Sequence, residues 1–210
     1  MRMNDQHKPE ITARLRRARN LFESGEFGQA ITAYEEIVEE NPDDRWACEI
    51  ACASIGEIHL LFRERDMARD SYRRALVYNP RETEYYYQLG LVEMTGHDSW
   101  KAVEHIDFCI KREPGRFAYL WVGGLLHWRI GHVGESIGIM ERALTLEHVG
   151  AREMESLGTD LLYLPDFRLA LGYARLGVSM FPSSLMARRI LKTFIRMHLR
   201  VSKISKAVSS

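Results

Sequence analysis

Apolar residues in this chain recur at intervals of three and four, the spacing that gives an α-helix one buried face. Ala30, Ile31, Tyr34, Ile37 and Val38 show it near the start, and Met186, Ile190, Phe194, Met197, Val201 and Ile204 near the end. Short polar breaks separate such stretches: Ser24-Gly25-Glu26, Arg63-Glu64-Arg65-Asp66, Thr95-Gly96-His97-Asp98, Ile130-Gly131-His132 and Leu164-Pro165-Asp166. Glycine there stops one helix and aspartate opens the next. The pattern predicts helices in pairs, each pair joined by a tight turn.

Prolines set a period on these pairs. Pro80 and Pro114 lie 34 residues apart, Pro114 and Pro182 lie 68 apart, and Pro42 and Pro80 lie 38 apart. Other columns then fall into register. Small residues stand twelve before the proline position: Ala30, Ala68, Ala102, Ser136 and Ala170. Ala18, Gly56, Gly90, Gly124 and Gly158 stand twenty-four before it. Eight before it come Tyr34, Tyr72, Ile106, Met140 and Ala174, with His148 in the proline column of the fourth copy. Small residues at fixed columns let two helix axes approach closely, and proline closes each copy because it cannot continue a helix.

This 34-residue period resembles the tetratricopeptide repeat, a helix pair with a Leu-Gly step, a later alanine and a closing proline. Five units fit: 11–44, 49–82, 83–116, 117–150 and 151–184, with 45–48 read as one extra helical turn opening the second. The first unit departs from the pattern, with Arg17-Ala18 in place of Leu-Gly. The resemblance implies an all-α fold, a right-handed α-solenoid of antiparallel helix pairs with a concave inner surface. Residues 1–10 read as a mobile lead-in, and 185–210 as a basic C-terminal capping helix and tail. Ser183-Ser184 offers that helix an N-cap, and its apolar stripe would cover the last unit.

Charge alters the picture more than composition does. The chain of 210 residues has 29 Lys+Arg and 29 Asp+Glu, a formal net charge of zero. Yet residues 167–210 hold nine basic side chains and no acidic one, so the excess of acid lies before them. Arg189, Lys192, Arg196, Arg200 and Lys203 cluster on one side of the terminal helix. That side reads first as a solvated cap, then as a dock for an acidic partner, and last as a site for an anionic membrane or nucleic acid. The split also suggests head-to-tail contact between copies of the chain. The longest apolar stretch, Phe117 to Trp128, is too short to span a bilayer. No apolar leader is visible, so a cytoplasmic location is expected. Cys48, Cys52 and Cys109 lack ligand spacing and read as buried small hydrophobes, with no metal or cofactor implied.

The family resemblance further implies that the first helix of each unit lines the concave surface. Transferred to this chain, its inward positions include Leu60, Tyr87, Leu91, Met94, Trp121, Leu125 and Trp128. Together they would form an apolar, aromatic groove for a partner peptide or helix. The competing reading is that neighbouring helices or the chain's own tail cover them. Arg19 and Glu57 take the places where a clamp for a C-terminal carboxylate needs other residues, which argues against that subtype. No P-loop, GxSxG or HExxH motif is present, and His59 and His127 fall where the repeat usually packs a tyrosine. The expected function is a non-enzymatic scaffold or adaptor, chaperone-like in its grip on another protein, with self-association or membership of a larger assembly as the alternative.

Overall fold

The structure, a computed structural model, describes the backbone of residues 9–94, 99–146, 149–162 and 167–208, and their side chains except at 159–162, 167, 198 and 200–208. Among these residues every regular element is an α-helix. They are α1 (Pro9–Glu23), α2 (Phe27–Glu40), α3 (Arg45–Leu61), α4 (Arg65–Tyr78), α5 (Thr83–Met94), α6 (Ser99–Arg112), α7 (Phe117–Arg129), α8 (Val133–Thr145), α9 (Ala151–Leu162), α10 (Phe167–Met180) and α11 (Leu185–Val208). That is five pairs and one long terminal helix, as the period predicts. The predicted turns at Thr95–Asp98 and Leu164–Asp166 lie outside the described residues. The chain divides into two compact units, Met1–Leu89 and Gly90–Ser210, and the division falls within α5.

The three described turns inside the pairs share one construction. In the first, the Gly25 N–H donates to the Phe22 carbonyl at 3.1 Å and the Glu26 N–H to Leu21 at 2.9 Å. Arg63 and Glu64 repeat this on Leu60 and His59, and Gly131 and His132 on Trp128 and His127. Each is a Schellman cap, whose central residue needs a left-handed backbone. Gly25 and Gly131 supply it at φ 83° and 85°, while in α3 the same place is held by Arg63 at φ 60°. Between pairs, Asn41 and Asn79 end α2 and α4 with N–H bonds to Ile37 and Ala75, and the following proline prevents continuation.

In the first unit the small columns act as predicted. Ala18, Ala30 and Ala68 are fully buried, and a β-carbon on Gly56 would meet the Tyr72 ring at 3.0 Å. The extra turn at 45–48 is helical and belongs to α3, capped by the Asp44 carboxylate, which accepts from the Ala47 N–H at 3.0 Å. It also has a task that the sequence did not reveal. The Arg45 guanidinium donates to the carbonyls of Tyr78 at 2.5 Å and Val77 at 3.1 Å, satisfying the open end of α4. Glu49, on the same helix, accepts from the Asn79 amide at 2.9 Å and the Tyr85 hydroxyl at 3.0 Å. Arg74 grips Glu35 with two bonds of 2.9 and 3.0 Å.

The second unit is built around α7. Its sequence is apolar on every side, which fits a helix surrounded by others. From Phe117 to His127 all residues but Ala118 are buried. Gly123 and Gly124 let neighbours press in from two directions: β-carbons there would lie 2.5 Å from Ile110 of α6 and 2.0 Å from the Tyr173 hydroxyl of α10. Ser136 of α8 donates to the Gly124 carbonyl at 2.8 Å, and Tyr173 donates to the Ser136 carbonyl at 3.2 Å. The terminal helix begins at its predicted cap, with Ser184 Oγ accepting from the Ala187 N–H at 3.2 Å. It buries Ala187, Ile190 and Phe194, and Phe194 meets Trp121 edge-on with centroids 6.4 Å apart.

Candidate interaction site

The predicted groove residues are mostly buried. Tyr87, Leu91, Met94, Trp121 and Leu125 are buried, and only Leu60 and Trp128 of the seven keep partial exposure. This corrects the expectation of an open apolar floor. The cause is clearest at Trp121. Its ring stacks on Phe117 at 5.9 Å and takes Tyr173 edge-on at 5.0 Å, so α10 and α11 occupy the space a partner would need. The indole N–H of Trp121 finds no acceptor among the described residues.

Apart from Val77, Met180 and the outer face of α11, the exposed large apolar residues lie at the turn ends of the pairs. In the first unit the Phe27 ring meets Phe22 at 5.8 Å and Phe62 at 5.1 Å, both edge-on. Phe62 is 53% exposed, with Leu61 and Met67 exposed beside it in sequence. In the second unit Trp100 is 56% exposed and sits edge-on to the His132 ring at 5.2 Å, next to exposed Val133. No pattern of spacing pointed to these residues, because a solvated turn is where apolar periodicity ends.

The polar candidates behave as structural groups. His59 is buried and pairs through Nδ1 with Glu64 at 2.6 Å across its own turn. His127 is likewise buried, with Nε2 3.0 Å from Asp107. Arg19 pairs with Glu23 at 3.0 Å, and its charge opposes the partial burial that raises the Glu57 carboxyl. The hydrogen bonds from Arg74 hold Glu35 below the usual carboxylate range. All three cysteines are buried, and burial pushes the Cys52 thiol up to about 11. Among the described residues no group of three His, Cys, Asp or Glu is placed to hold a metal ion, and no helix is long and apolar enough to cross a membrane.

On the terminal helix Arg189, Lys192 and Arg196 are exposed, and the side chains of Arg200 and Lys203 lie outside the described ones. Arg188 joins the exposed set, and none of these four makes an ion pair with a described residue.

Comparison with known proteins agrees with this architecture. A family model described as "Tetratricopeptide repeat" matches residues 15–47. Residues 15–47 thus match one repeat of that family, and the later helix pairs share its architecture. Among curated proteins it is 27% identical over 154 residues to the BBSome complex member BBS4 of Bos taurus. That stretch is 73% of this chain but 29% of the relative, so the chain spans under a third of that protein's length. Among solved structures, MamA aligns with a TM-score of 0.60 at 17% identity, covering 82% of this chain and 92% of MamA. YrrB, described as a TPR protein with an unusual peptide-binding site, aligns at 0.59 and 16% identity, covering 85% and 90% of the two chains. PilW, a type IV pilus biogenesis factor, aligns at 0.56 and 15%, covering 89% and 91%. At these identities the likeness is one of fold.

Proposed function

We propose that the chain is a non-enzymatic scaffold that binds another protein through apolar side chains at the turn ends of its helix pairs. The observation that carries the reading is the aromatic row Phe22, Phe27 and Phe62, open to solvent at Phe62. Large apolar side chains left in water at a turn cost free energy that a partner's apolar segment would recover. Leu60 and Trp128, the two groove candidates with partial exposure, precede the first-unit and second-unit turns and extend the same edges. YrrB lends support as a structural likeness with a peptide-binding site, and the match to a complex member fits a protein that works in company.

The test is site-specific photocrosslinking in the native host, with the crosslinker at residue 62 or 100. Two paired variants accompany it, Phe62→Asp with Met67→Asp and Trp100→Asp with Val133→Asp. All four side chains are exposed, so helicity and melting temperature should hold while capture of the partner falls. Capture that survives in both variants would sink the proposal.

A further inference from the structure

The outer face of α11 combines two features that its role as a cap does not use. At about 100° per residue, Leu185, Arg188, Arg189, Lys192, Ile195, Arg196 and Leu199 fall within an arc of about 120°. All seven are exposed, with Leu185 at 68%, Ile195 at 37% and Leu199 at 54%. The opposite face is spent on packing, since Ala187, Ile190 and Phe194 are fully buried. Arg188, Arg189, Lys192 and Arg196 also make no ion pair with a described residue. Arg188 turns back to the Pro182 carbonyl and Arg196 reaches Thr193 Oγ1 at 3.4 Å, but no acidic residue occurs anywhere from 167 to 210. Three arginines elsewhere hold acidic partners: Arg14 with Glu40, Arg69 with Asp66, and Arg74 with Glu35.

We infer that this face docks the protein on an anionic phospholipid surface. Cations alone would suit any polyanion, and the interleaved apolar side chains narrow the choice. A nucleic acid would engage the four cations and leave Leu185, Ile195 and Leu199 in water. The chain's own acidic helix is α2, with Glu36, Glu39 and Glu40 exposed, but it offers no exposed large apolar side chain to cover those three. A bilayer interface takes both, because lipid phosphates meet the guanidinium and ammonium groups while apolar side chains enter between the headgroups. The helix need not leave its cap position, since the stripe against Trp121 and the outer arc are opposite. This inference is independent of the turn-end binding reading, which uses other residues.

Sedimentation of the full chain with vesicles tests it, comparing phosphatidylcholine alone with phosphatidylcholine containing phosphatidylglycerol. Binding is expected only to the anionic vesicles, and should weaken as salt screens it. Arg189→Glu with Lys192→Glu should lower the partition coefficient about tenfold or more. Arg189→Gln with Lys192→Gln should lower it less, and Ile195→Ser with Leu199→Ser should lower it at unchanged charge. These side chains are exposed, so circular dichroism should show each variant folded. Equal binding to both vesicle types, no binding to anionic vesicles at low salt, or wild-type binding by the charge-reversed chain would each overturn the assignment. So would wild-type binding by the Ile195→Ser, Leu199→Ser chain, which would leave a bare polyanion site. Salt-sensitive self-association without vesicle binding would replace the lipid by a second copy of the chain.

Discussion

The hydroxyl of Tyr173 occupies the space into which a side chain at Gly124 would grow, 2.0 Å from where a β-carbon would stand. The two residues belong to α7 and α10, so the glycine column of the fourth repeat receives a residue from the fifth. In the second repeat the same column is local, with Gly56 against Tyr72 of its own partner helix. Tyr173 cannot simply swing aside, because its ring is buried against Trp121 and its hydroxyl bonds to Ser136.

Gly124→Ala should therefore lower stability by about 2 kcal/mol or more, the overpacking cost exceeding the gain in helix propensity. Gly28→Ala is the control, since nothing lies within 4 Å of its added carbon. It should leave stability unchanged or raise it by up to about 1 kcal/mol. Urea unfolding of the two variants separates a crossing glycine from a merely permitted one, and equal midpoints would refute the crossing.

The two tryptophans of the predicted groove should part company. Trp121→Ala removes a fully buried ring and should cost about 4 kcal/mol. Trp128 is partly exposed, and Trp128→Ala should cost about 1 to 2 kcal/mol. Thermal melts followed by circular dichroism decide this, and similar small losses for both would mean that Trp121 is not core.

Arg63 holds a left-handed backbone in the place where two sister turns use glycine. Arg63→Gly should raise stability by about 1 kcal/mol by relieving that conformation. Gly25→Ala should lower it by a similar amount, about 1 kcal/mol, since its φ is positive and its surroundings are open. A loss in Arg63→Gly would mean that the side chain contributes more than its backbone costs.

The bond from Arg74 lowers the Glu35 carboxyl below its unfolded value of about 4.3. Its stabilising effect is then complete above that value and is lost as pH falls through the lower folded pKa. The pair is partly exposed, so about 0.5 to 1 kcal/mol is expected at neutral pH. Glu35→Gln should show that deficit at pH 7 and converge with wild type in acid. A deficit that is constant with pH would point to lost packing rather than lost charge.

Cys52, pushed up to about 11 by burial, should stay a thiol at pH 8 and resist alkylation in the folded protein. Iodoacetamide labelling should follow global unfolding across a urea series. Prompt native-state labelling of Cys52 would show that α3 opens locally.

The helix pairs, their turns and their caps were legible in the residues because each is set by neighbours in sequence. Asn-Pro ends α2 and α4, Gly25 and Gly131 close turns, and Ser184 opens α11 where the spacing put it. Arg45 was not legible as a cap, since its acceptors at Val77 and Tyr78 lie more than thirty residues away. Neither were the exposed rings of Phe62 and Trp100, which stand beside turns and outside any apolar period.

Local order alone set the repeat, the all-helical architecture, the small columns and the charge split, since period and composition need no packing. What each apolar face touches came from packing between helices. A period of 3.6 says which side of a helix avoids water but not which element covers it, and α7 is apolar on every side, so it has no outward face to read. Trp121 became core because Tyr173 and Phe194 arrive from 52 and 73 residues away along the chain to cover it. Arg188, Arg189, Lys192 and Arg196 of α11 are exposed, and α11 itself carries no acidic residue to pair with them.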